Sequence, residues 1–180
     1  MMNSFVYRLM VLEYRLKAAF SPPQEVLAEI PLRSGMTVLD FGCGPGRYTI
    51  PAARLVGESG LVYALDAHPL AIRTVERVAS KKGLRNIRTI HSNLTTAIED
   101  RSVDVVLLYD TLHEVREPSR LVGHLHSVLK AGGLLSFRDR HLKEDEAHVF
   151  IVGGSLFTPF SRGKRTHTFI KRELDENEKP

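Results

Sequence analysis

A chain of 180 residues, of which 43% are hydrophobic and 26% charged, is typical of one soluble globular domain with a substantial core. A formal net charge of +4 is too small to indicate a nucleic-acid or membrane partner by itself. Its single cysteine, Cys43, excludes an intramolecular disulfide and a cysteine-based zinc site, and fits a reducing, cytoplasmic location.

The N-terminal segment carries an apolar stripe that predicts an amphipathic helix. The stripe consists of Phe5, Leu9, Leu12, Leu16 and Phe20. Arg8 interrupts the apolar run, which is far shorter than the ~20 residues of a membrane span. No small-residue cleavage site follows, so we expect no signal peptide. Ser21 is predicted to cap a second short helix at about Pro22 to Ile30, and residues 1–31 are interpreted as a helical cover segment.

From Met36 onward, strand and helix patterns alternate along the chain. The predicted strands are Thr37–Phe41, Leu61–Asp66, Ile87–His91, Val103–Tyr109 and Leu134–Arg138. Helical patterns occur at about 47–56, 68–82, 95–99 and 111–129, and two of them end in Lys81-Lys82-Gly83 and Lys130-Ala131-Gly132-Gly133. This alternation predicts an α/β fold with a Rossmann-like, doubly wound, mostly parallel sheet.

The C-terminal part has a different pattern. A helix from about Lys143 to Val152 is followed by two strand-like segments, Leu156–Phe160 and Lys164–Lys171, which flank Ser161-Arg162-Gly163 and predict an antiparallel hairpin. The basic residues of this region are Arg162, Lys164, Arg165, Lys171 and Arg172. We interpret them as the solvated face of the hairpin in preference to a nucleic-acid patch. The domain is assigned to residues 32–172 and a polar tail to residues 173–180.

Polar side chains follow the end of every predicted parallel strand. They are Asp40, Asp66, Asn93, Tyr109 with Asp110, and Asp139 with His141. Because open α/β sheets bind ligands beyond the carboxyl ends of their strands, these residues are candidates for one binding site. Asp66 lies roughly 20 residues after a glycine-rich turn, where a carboxylate can accept hydrogen bonds from ribose hydroxyls.

The glycine-rich turn discriminates between nucleotide cofactors. It reads Gly42-x-Gly44-x-Gly46, whereas a dinucleotide fingerprint reads G-x-G-x-x-G. Asp40, two residues before the first glycine, would repel a pyrophosphate but can bind a cation or accept a hydrogen bond from an ammonium group. The turn therefore favours a nucleoside that carries an amino acid over NAD.

These motifs together resemble class I S-adenosylmethionine (SAM)-dependent methyltransferases of the ubiquinone/menaquinone and small-molecule group. The resemblance covers about residues 25–172. It is carried by Val38-Leu39-Asp40-Phe41-Gly42-Cys43-Gly44-Pro45-Gly46, Ala64-Leu65-Asp66, Asp104-Val105-Val106-Leu107-Leu108-Tyr109-Asp110-Thr111-Leu112-His113 and Leu129-Lys130-Ala131-Gly132-Gly133. It implies SAM as cofactor, S-adenosylhomocysteine as product, and a seven-stranded sheet of order 3-2-1-4-5-7-6.

The resemblance also implies a role for each binding residue. Gly42, Gly44 and Gly46 would pass the methionine part of the cofactor, and Asp40 would anchor that loop and reach the amino group through water. Asp66 would bind the ribose. Asn93, with Leu94, replaces the usual acidic residue near the adenine, which an asparagine can still pair with. Tyr109 and Asp110 would border the methyl group, although such a strand-end pair can instead cap the next helix.

Methyl transfer needs a general base only where the acceptor atom carries a proton. The candidates are Asp110, His113, Asp139 and His141. His113 can equally lie along a helix, and Asp139 can pair with Arg138 or Arg140. No metal site is expected, because the segment from His113 to Glu117 lacks the second histidine of a zincin motif.

The acceptor class is narrowed by motifs that the chain lacks. Members of the resembled family that methylate exocyclic amines of nucleic acids or glutamine amides usually carry an Asn-Pro-Pro-Tyr motif after the fourth strand, which this chain lacks. Methylation at C5 of pyrimidines needs a cysteine nucleophile in the fourth-strand region, whereas Cys43 lies in the glycine loop. We therefore expect a small-molecule acceptor, without specifying O-, N-, S- or C-methylation. The pocket would be covered by the N-terminal helix, or completed by a second copy or a partner subunit. The alternatives are a SAM-binding regulatory subunit and, less favoured, an NAD-binding oxidoreductase.

Overall fold

The computed structural model describes residues 22–94 and 98–173. The N-terminal helix predicted at residues 5–20 therefore lies outside the described residues. The same holds for most of the helix predicted at 95–99 and for all but the first residue of the predicted polar tail. Within the described ranges, no helix has both the length and the apolar character needed to cross a membrane.

Seven strands and five α-helices alternate along the described chain. The strands are β1 (Thr37–Phe41), β2 (Leu61–Asp66), β3 (Ile87–His91), β4 (Val103–Tyr109), β5 (Leu129–Arg138), β6 (Phe157–Arg162) and β7 (His167–Lys171). The helices are α1 (Pro23–Leu27), α2 (Thr49–Val56), α3 (Pro69–Lys81), α4 (Pro118–Val128) and α5 (Glu144–Val152), with a 3₁₀ turn at Leu112–Glu114.

The strands form one sheet in the order β3-β2-β1-β4-β5-β7-β6, which confirms the predicted fold. The pairs among β1 to β5 are parallel, whereas β7 is antiparallel to both β5 and β6. The chain order reverses between β1 and β4, so the carboxyl ends of these two neighbouring strands flank a crevice. Such a switch point is where open α/β sheets bind ligands.

Helices cover both faces of the sheet because successive side chains of a buried parallel strand point to opposite sides. Leu39 of β1 packs with Leu121 of α4 and Ile151 of α5 on one face. Val38, next to Leu39 in the same strand, packs with Ala52 of α2 and Leu27 of α1 on the other face. The sheet is thus fixed from both sides, and its carboxyl edge is a rigid base for the loops that follow it.

Lys171, predicted to lie on the solvated face of the hairpin, is instead buried, and its Nζ donates to the Leu129 carbonyl at 2.7 Å.

Further local predictions differ from the structure at the boundaries of elements. The helix predicted at 111–129 is interrupted before Pro118, because the residue that precedes a proline is sterically disfavoured in the α region. Leu129 pairs with Val103 and already belongs to β5, so this strand begins five residues earlier than predicted. The hairpin turn was placed at residues 161–163, but β6 extends to Arg162 and the turn closes by a hydrogen bond from Gly163 N to Thr166 O at 2.8 Å.

Candidate functional site

The glycine loop turns sharply after β1 at the switch point of the sheet. The amides of Gly42 and Cys43 both donate to the Leu65 carbonyl at 2.9 Å, which ties the turn to the end of β2. Gly42 and Gly44 have φ values of 75° and 51°. This left-handed region is disfavoured for residues that carry a Cβ, so the turn requires glycine.

The loop glycines differ in what a side chain would meet. A Cβ on Gly42 would clash with the Thr111 side chain, and one on Gly46 would lie 3.1 Å from Val75 Cγ2 of α3. Nothing lies within 4 Å of the corresponding position at Gly44. Gly42 is therefore required by packing and Gly46 by its positive φ of 86° next to a tight contact, whereas Gly44 borders open space into which a bound ligand can fit.

Asp40, at the end of β1, is 2% exposed and accepts a hydrogen bond from Thr49 Oγ1 at 2.6 Å. Burial raises the pKa of this carboxyl to about 7, with a further rise from the Asp66 charge, while the Thr49 hydrogen bond acts in the opposite direction. Asp40 thus joins the strand to the first turn of α2. Its predicted contact with an ammonium group stays a prediction.

Asp66, at the end of β2, holds the glycine loop and the start of the next helix together. One carboxylate oxygen accepts from Gly44 N at 2.8 Å, and the other accepts from His68 N at 2.7 Å. Each carboxylate oxygen has a second lone pair, so both can still accept a hydrogen bond from a ligand. The side chain is half-buried at the carboxyl edge.

Asn93 and Leu94 follow β3 on the adenine side of the predicted site. Asn93 is exposed, and Leu94 is half-buried against the core cluster that contains Leu39. Both lie at the same edge as Asp66, since Ser92 N donates to the Asp66 carbonyl at 3.1 Å. The predicted pairing of Asn93 with the adenine edge stays a prediction.

Tyr109, at the end of β4, lies inside the core. Its hydroxyl is 2.7 Å from Ser136 Oγ, and its ring meets the Tyr48 ring edge-on with centroids 4.7 Å apart. Burial raises the pKa of Tyr109 well above its ordinary value, so the phenol stays protonated. Tyr48, which sequence analysis did not single out, lies two residues after Gly46, the last glycine of the loop.

Asp110 forms a two-point ion pair with Arg140. The Arg140 Nε is 3.1 Å from each carboxylate oxygen, and the distance from Nη2 to Oδ2 is 2.8 Å. Burial acts to raise the pKa of Asp110, but the hydrogen bonds and charge of Arg140 outweigh it, so the pKa is lowered. The carboxylate is therefore a weak base, which disfavours Asp110 among the predicted candidates for proton transfer.

His113, Asp139 and His141 form a cluster beyond the ends of β4 and β5. The Nδ1 of His113 is 3.0 Å from both oxygens of Asp139, whose side chain is fully buried. The amides of His113 and His141 also donate to Asp139, at 3.1 and 3.0 Å. The two imidazole rings lie against each other with centroids 4.4 Å apart and an angle of 40° between their planes. With Nδ1–H bonded to the carboxylate, a neutral His113 presents the lone pair of Nε2 for accepting a proton.

Comparison with known proteins identifies the chain's family. The family described as "Methyltransferase domain" matches residues 32–153. Demethylmenaquinone methyltransferase from Geobacillus stearothermophilus is 30% identical over 112 residues, which are 62% of this chain and 48% of the relative. Aklanonic acid methyltransferase DauC from Streptomyces sp. strain C5 is 31% identical over 105 residues, 58% of this chain and 48% of the relative. The chain thus spans about half the length of these curated relatives.

A solved structure of similar size is also related. The SAM-dependent methyltransferase from Aquifex aeolicus superposes with a TM-score of 0.71 at 27% sequence identity, over 83% of this chain and 88% of that one. The likeness thus extends over most of the sheet and its helices.

Proposed function

This chain belongs to the methyltransferase domain family, and we therefore propose that it transfers a methyl group from SAM to a small-molecule acceptor. One observation carries the proposal: the glycine loop at the switch point leaves open space at Gly44, beside the half-buried carboxylate of Asp66. A nucleoside that carries an amino acid needs such a combination. Its ribose hydroxyls require hydrogen-bond acceptors, and the attached amino-acid chain must pass close to the protein backbone.

The residues of this edge fit the cofactor. Asp66 would accept hydrogen bonds from the ribose hydroxyls through its remaining lone pairs, and Asn93 would face the adenine. The backbone around Gly44 would border the methionine part, and Asp40 would hold the loop in place through Thr49. When bound, SAM supplies a methyl group attached to a positively charged sulfur.

Proton transfer is assigned to His113. Its Nδ1–H donates to the buried Asp139 carboxylate, which orients the ring and stabilises the imidazolium that forms when Nε2 takes a proton from the acceptor. His141 would pack against this imidazole and limit its rotation. Asp110 is assigned a structural role, since its charge is neutralised by Arg140.

The names of the curated relatives, which concern demethylmenaquinone and aklanonic acid, support a small organic acceptor for this chain too. The alternative proposal is a SAM-binding subunit without turnover of its own. It shares the cofactor site and lacks only the transfer of the methyl group to an acceptor. Completion of the pocket by a second copy or a partner, and a cytoplasmic location, stay predictions.

Cofactor binding is tested with a pair of glycine variants. Isothermal titration calorimetry on the wild-type protein should give a Kd for SAM below about 100 μM and no binding of NAD. Gly44→Asn should weaken SAM binding at least tenfold, because asparagine tolerates the left-handed conformation but fills the open space. Gly132→Asn is the matched control, since Gly132 also has a positive φ, 68°, and open surroundings.

Equal SAM affinity in the two glycine variants, or NAD binding by the wild type, would contradict the assignment of the loop.

Turnover is tested by measuring S-adenosylhomocysteine release over a panel of hydroxylated, amino and thiol metabolites. Release with one acceptor class supports the enzyme. Tight SAM binding with no release over the whole panel would favour the regulatory subunit.

A further inference from the structure

Arg138 brings to the same edge of the sheet a buried guanidinium nitrogen without a hydrogen-bond partner among the described residues. It is the last residue of β5 and pairs with Tyr109 of β4. The side-chain alternation of a strand places Arg138 on the same face as Ser136, whose hydroxyl contacts Tyr109. Its Nη1 is buried, and no described residue accepts a hydrogen bond from it. A guanidinium donor in this position requires an acceptor from outside the described residues.

Charged groups of both signs act on the region around Arg138. Arg47 lies over the ring of Tyr48, 5.5 Å from its centroid. Burial raises the pKa of the Tyr48 phenol, while the charges of Arg47 and Arg138 act in the opposite direction. The same phenol is within range of two carboxyl groups, Asp110 and Asp40.

Neither carboxyl group accepts a hydrogen bond from the Arg138 side chain, although the charge of Arg138 contributes to lowering the pKa of Asp110. Both oxygens of Asp110 are bound by Arg140, and Asp40 is fully buried against Thr49 with a pKa raised to about 7. Within the described part of the chain, Nη1 of Arg138 therefore has no carboxylate as a hydrogen-bond partner. A planar guanidinium fork matches a carboxylate through two parallel hydrogen bonds.

We propose that Arg138 binds a carboxylate of the methyl acceptor, so that the acceptor is an organic acid. The inference rests on the proposed function and names its substrate class. The methionine part of SAM carries the same chemical group, but Arg138 is two strands away from β1, about 10 Å at the usual strand spacing. The position beyond β4 therefore favours the acceptor as the source of the carboxylate.

The test uses protein saturated with S-adenosylhomocysteine, whose binding is measured first and separately. Calorimetry then compares matched acids and amides, including 4-hydroxybenzoate with 4-hydroxybenzamide and 3-hydroxybutyrate with its amide. We expect at least one acid to bind at least tenfold more tightly than its amide. Arg138→Gln should abolish this preference, Arg138→Lys should retain part of it, and Arg77→Gln, at an exposed position of α3, should leave it unchanged.

A second measurement identifies the source of the carboxylate. S-adenosylhomocysteine is compared with 5′-methylthioadenosine, which lacks the amino-acid group, in the wild type and in Arg138→Gln. We expect the substitution to change neither affinity by more than about twofold. Selective loss of S-adenosylhomocysteine affinity would overturn the proposal, because the carboxylate would then belong to the cofactor. Absence of any preference for acids in the wild type, or its persistence in Arg138→Gln, would overturn it as well.

Discussion

At the scale of single residues, the partner of each strand-end carboxylate decides whether the pair can take part in proton transfer. Asp110 and Asp139 both follow a buried strand, yet Asp110 is bound by a guanidinium and Asp139 by an imidazole. An arginine holds its proton permanently, so the Asp110 pair cannot exchange one. A histidine oriented by a carboxylate can, and this difference in partner determines which group can act as a base.

We predict that His113→Gln lowers kcat for a proton-bearing acceptor by about 10²- to 10⁴-fold, the usual contribution of a general base. Asp139→Asn should have a similar but smaller effect, because it removes the acceptor that orients the imidazole. Affinity for SAM should change little in either variant. The measurement is the single-turnover rate at saturating cofactor, combined with calorimetry.

His126→Gln provides the control for loss of an imidazole. His126 lies near the C-terminal end of α4, where its Nε2 is 2.8 Å from the Arg172 carbonyl. It should alter stability without altering the rate. If His113→Gln turns over at the wild-type rate, the cluster only joins the ends of β4 and β5.

At the scale of secondary-structure elements, Glu29 fixes the C-terminal hairpin to the start of the domain. It follows α1, and its carboxylate accepts hydrogen bonds from Arg165 N at 3.1 Å, Thr166 N at 2.9 Å and Thr166 Oγ1 at 2.8 Å. A Cβ on Gly163 would collide with the same carboxylate. One side chain thus determines where the β6–β7 turn lies, although 136 residues separate Glu29 from Arg165.

Glu29→Ala should lower the free energy of unfolding by about 1 to 3 kcal/mol, since it leaves half-buried amides and a hydroxyl without their charged acceptor. Glu25→Ala is the matched control, because the Glu25–Arg165 ion pair is more exposed and should contribute at most about 1 kcal/mol. Urea denaturation at neutral pH measures both. Equal losses in the two variants would show that the hydrogen bonds of Glu29 do not position the turn.

The pH dependence of this contact follows from the pKa of Glu29. Burial acts to raise that pKa, but the hydrogen bonds from Thr166 and Arg165 outweigh it and the pKa is lowered below 4.5. The contribution is therefore fully present above pH 4.5 and is lost as the pH falls through the lowered pKa. In Glu29→Ala the acid limb of the stability profile should be correspondingly flatter.

At the scale of the whole molecule, Asp40 makes stability depend on pH in the opposite direction. Its pKa is raised from 3.8 to about 7, mainly by burial. Between these values the folded protein holds a proton that the unfolded chain releases, so the free energy of unfolding falls as the pH rises. The core of the sheet thus carries an acid whose ionised form the fold disfavours.

We predict that Asp40→Asn removes this pH dependence of the free energy of unfolding. Since a pKa difference of one corresponds to about 1.4 kcal/mol, the wild type should lose at most about 4 kcal/mol relative to the variant between pH 4 and pH 8. Urea denaturation over this pH range measures the difference. The exposed Asp100, replaced by asparagine, is the control and should leave the profile unchanged. Parallel profiles for wild type and Asp40→Asn would contradict the prediction.

The strands, the glycine turn and the position of the ligand edge could be predicted because they depend on local patterns, whereas the order of the strands was expected only from the family resemblance. Continuous apolar runs such as Val105–Leu108 form strands buried on both faces, and glycines at 42 and 44 are required where the backbone has a positive φ. Boundaries were predicted less well where pairing decides them. Leu129 follows a helix directly, and only its partner Val103 makes it part of a strand.

The amino-acid sequence by itself determined the α/β fold, the glycine loop and the set of polar residues at the strand ends. Only the tertiary structure decided which side chains become partners: Asp110 pairs with Arg140 and Asp139 with His113, while Nη1 of Arg138 has no described acceptor. Periodicity and turn chemistry act over a few neighbouring residues, so they can be read along the chain. The partner of a buried charge depends instead on which strands become neighbours and which face each side chain takes, and these relations exist only after the sheet has formed.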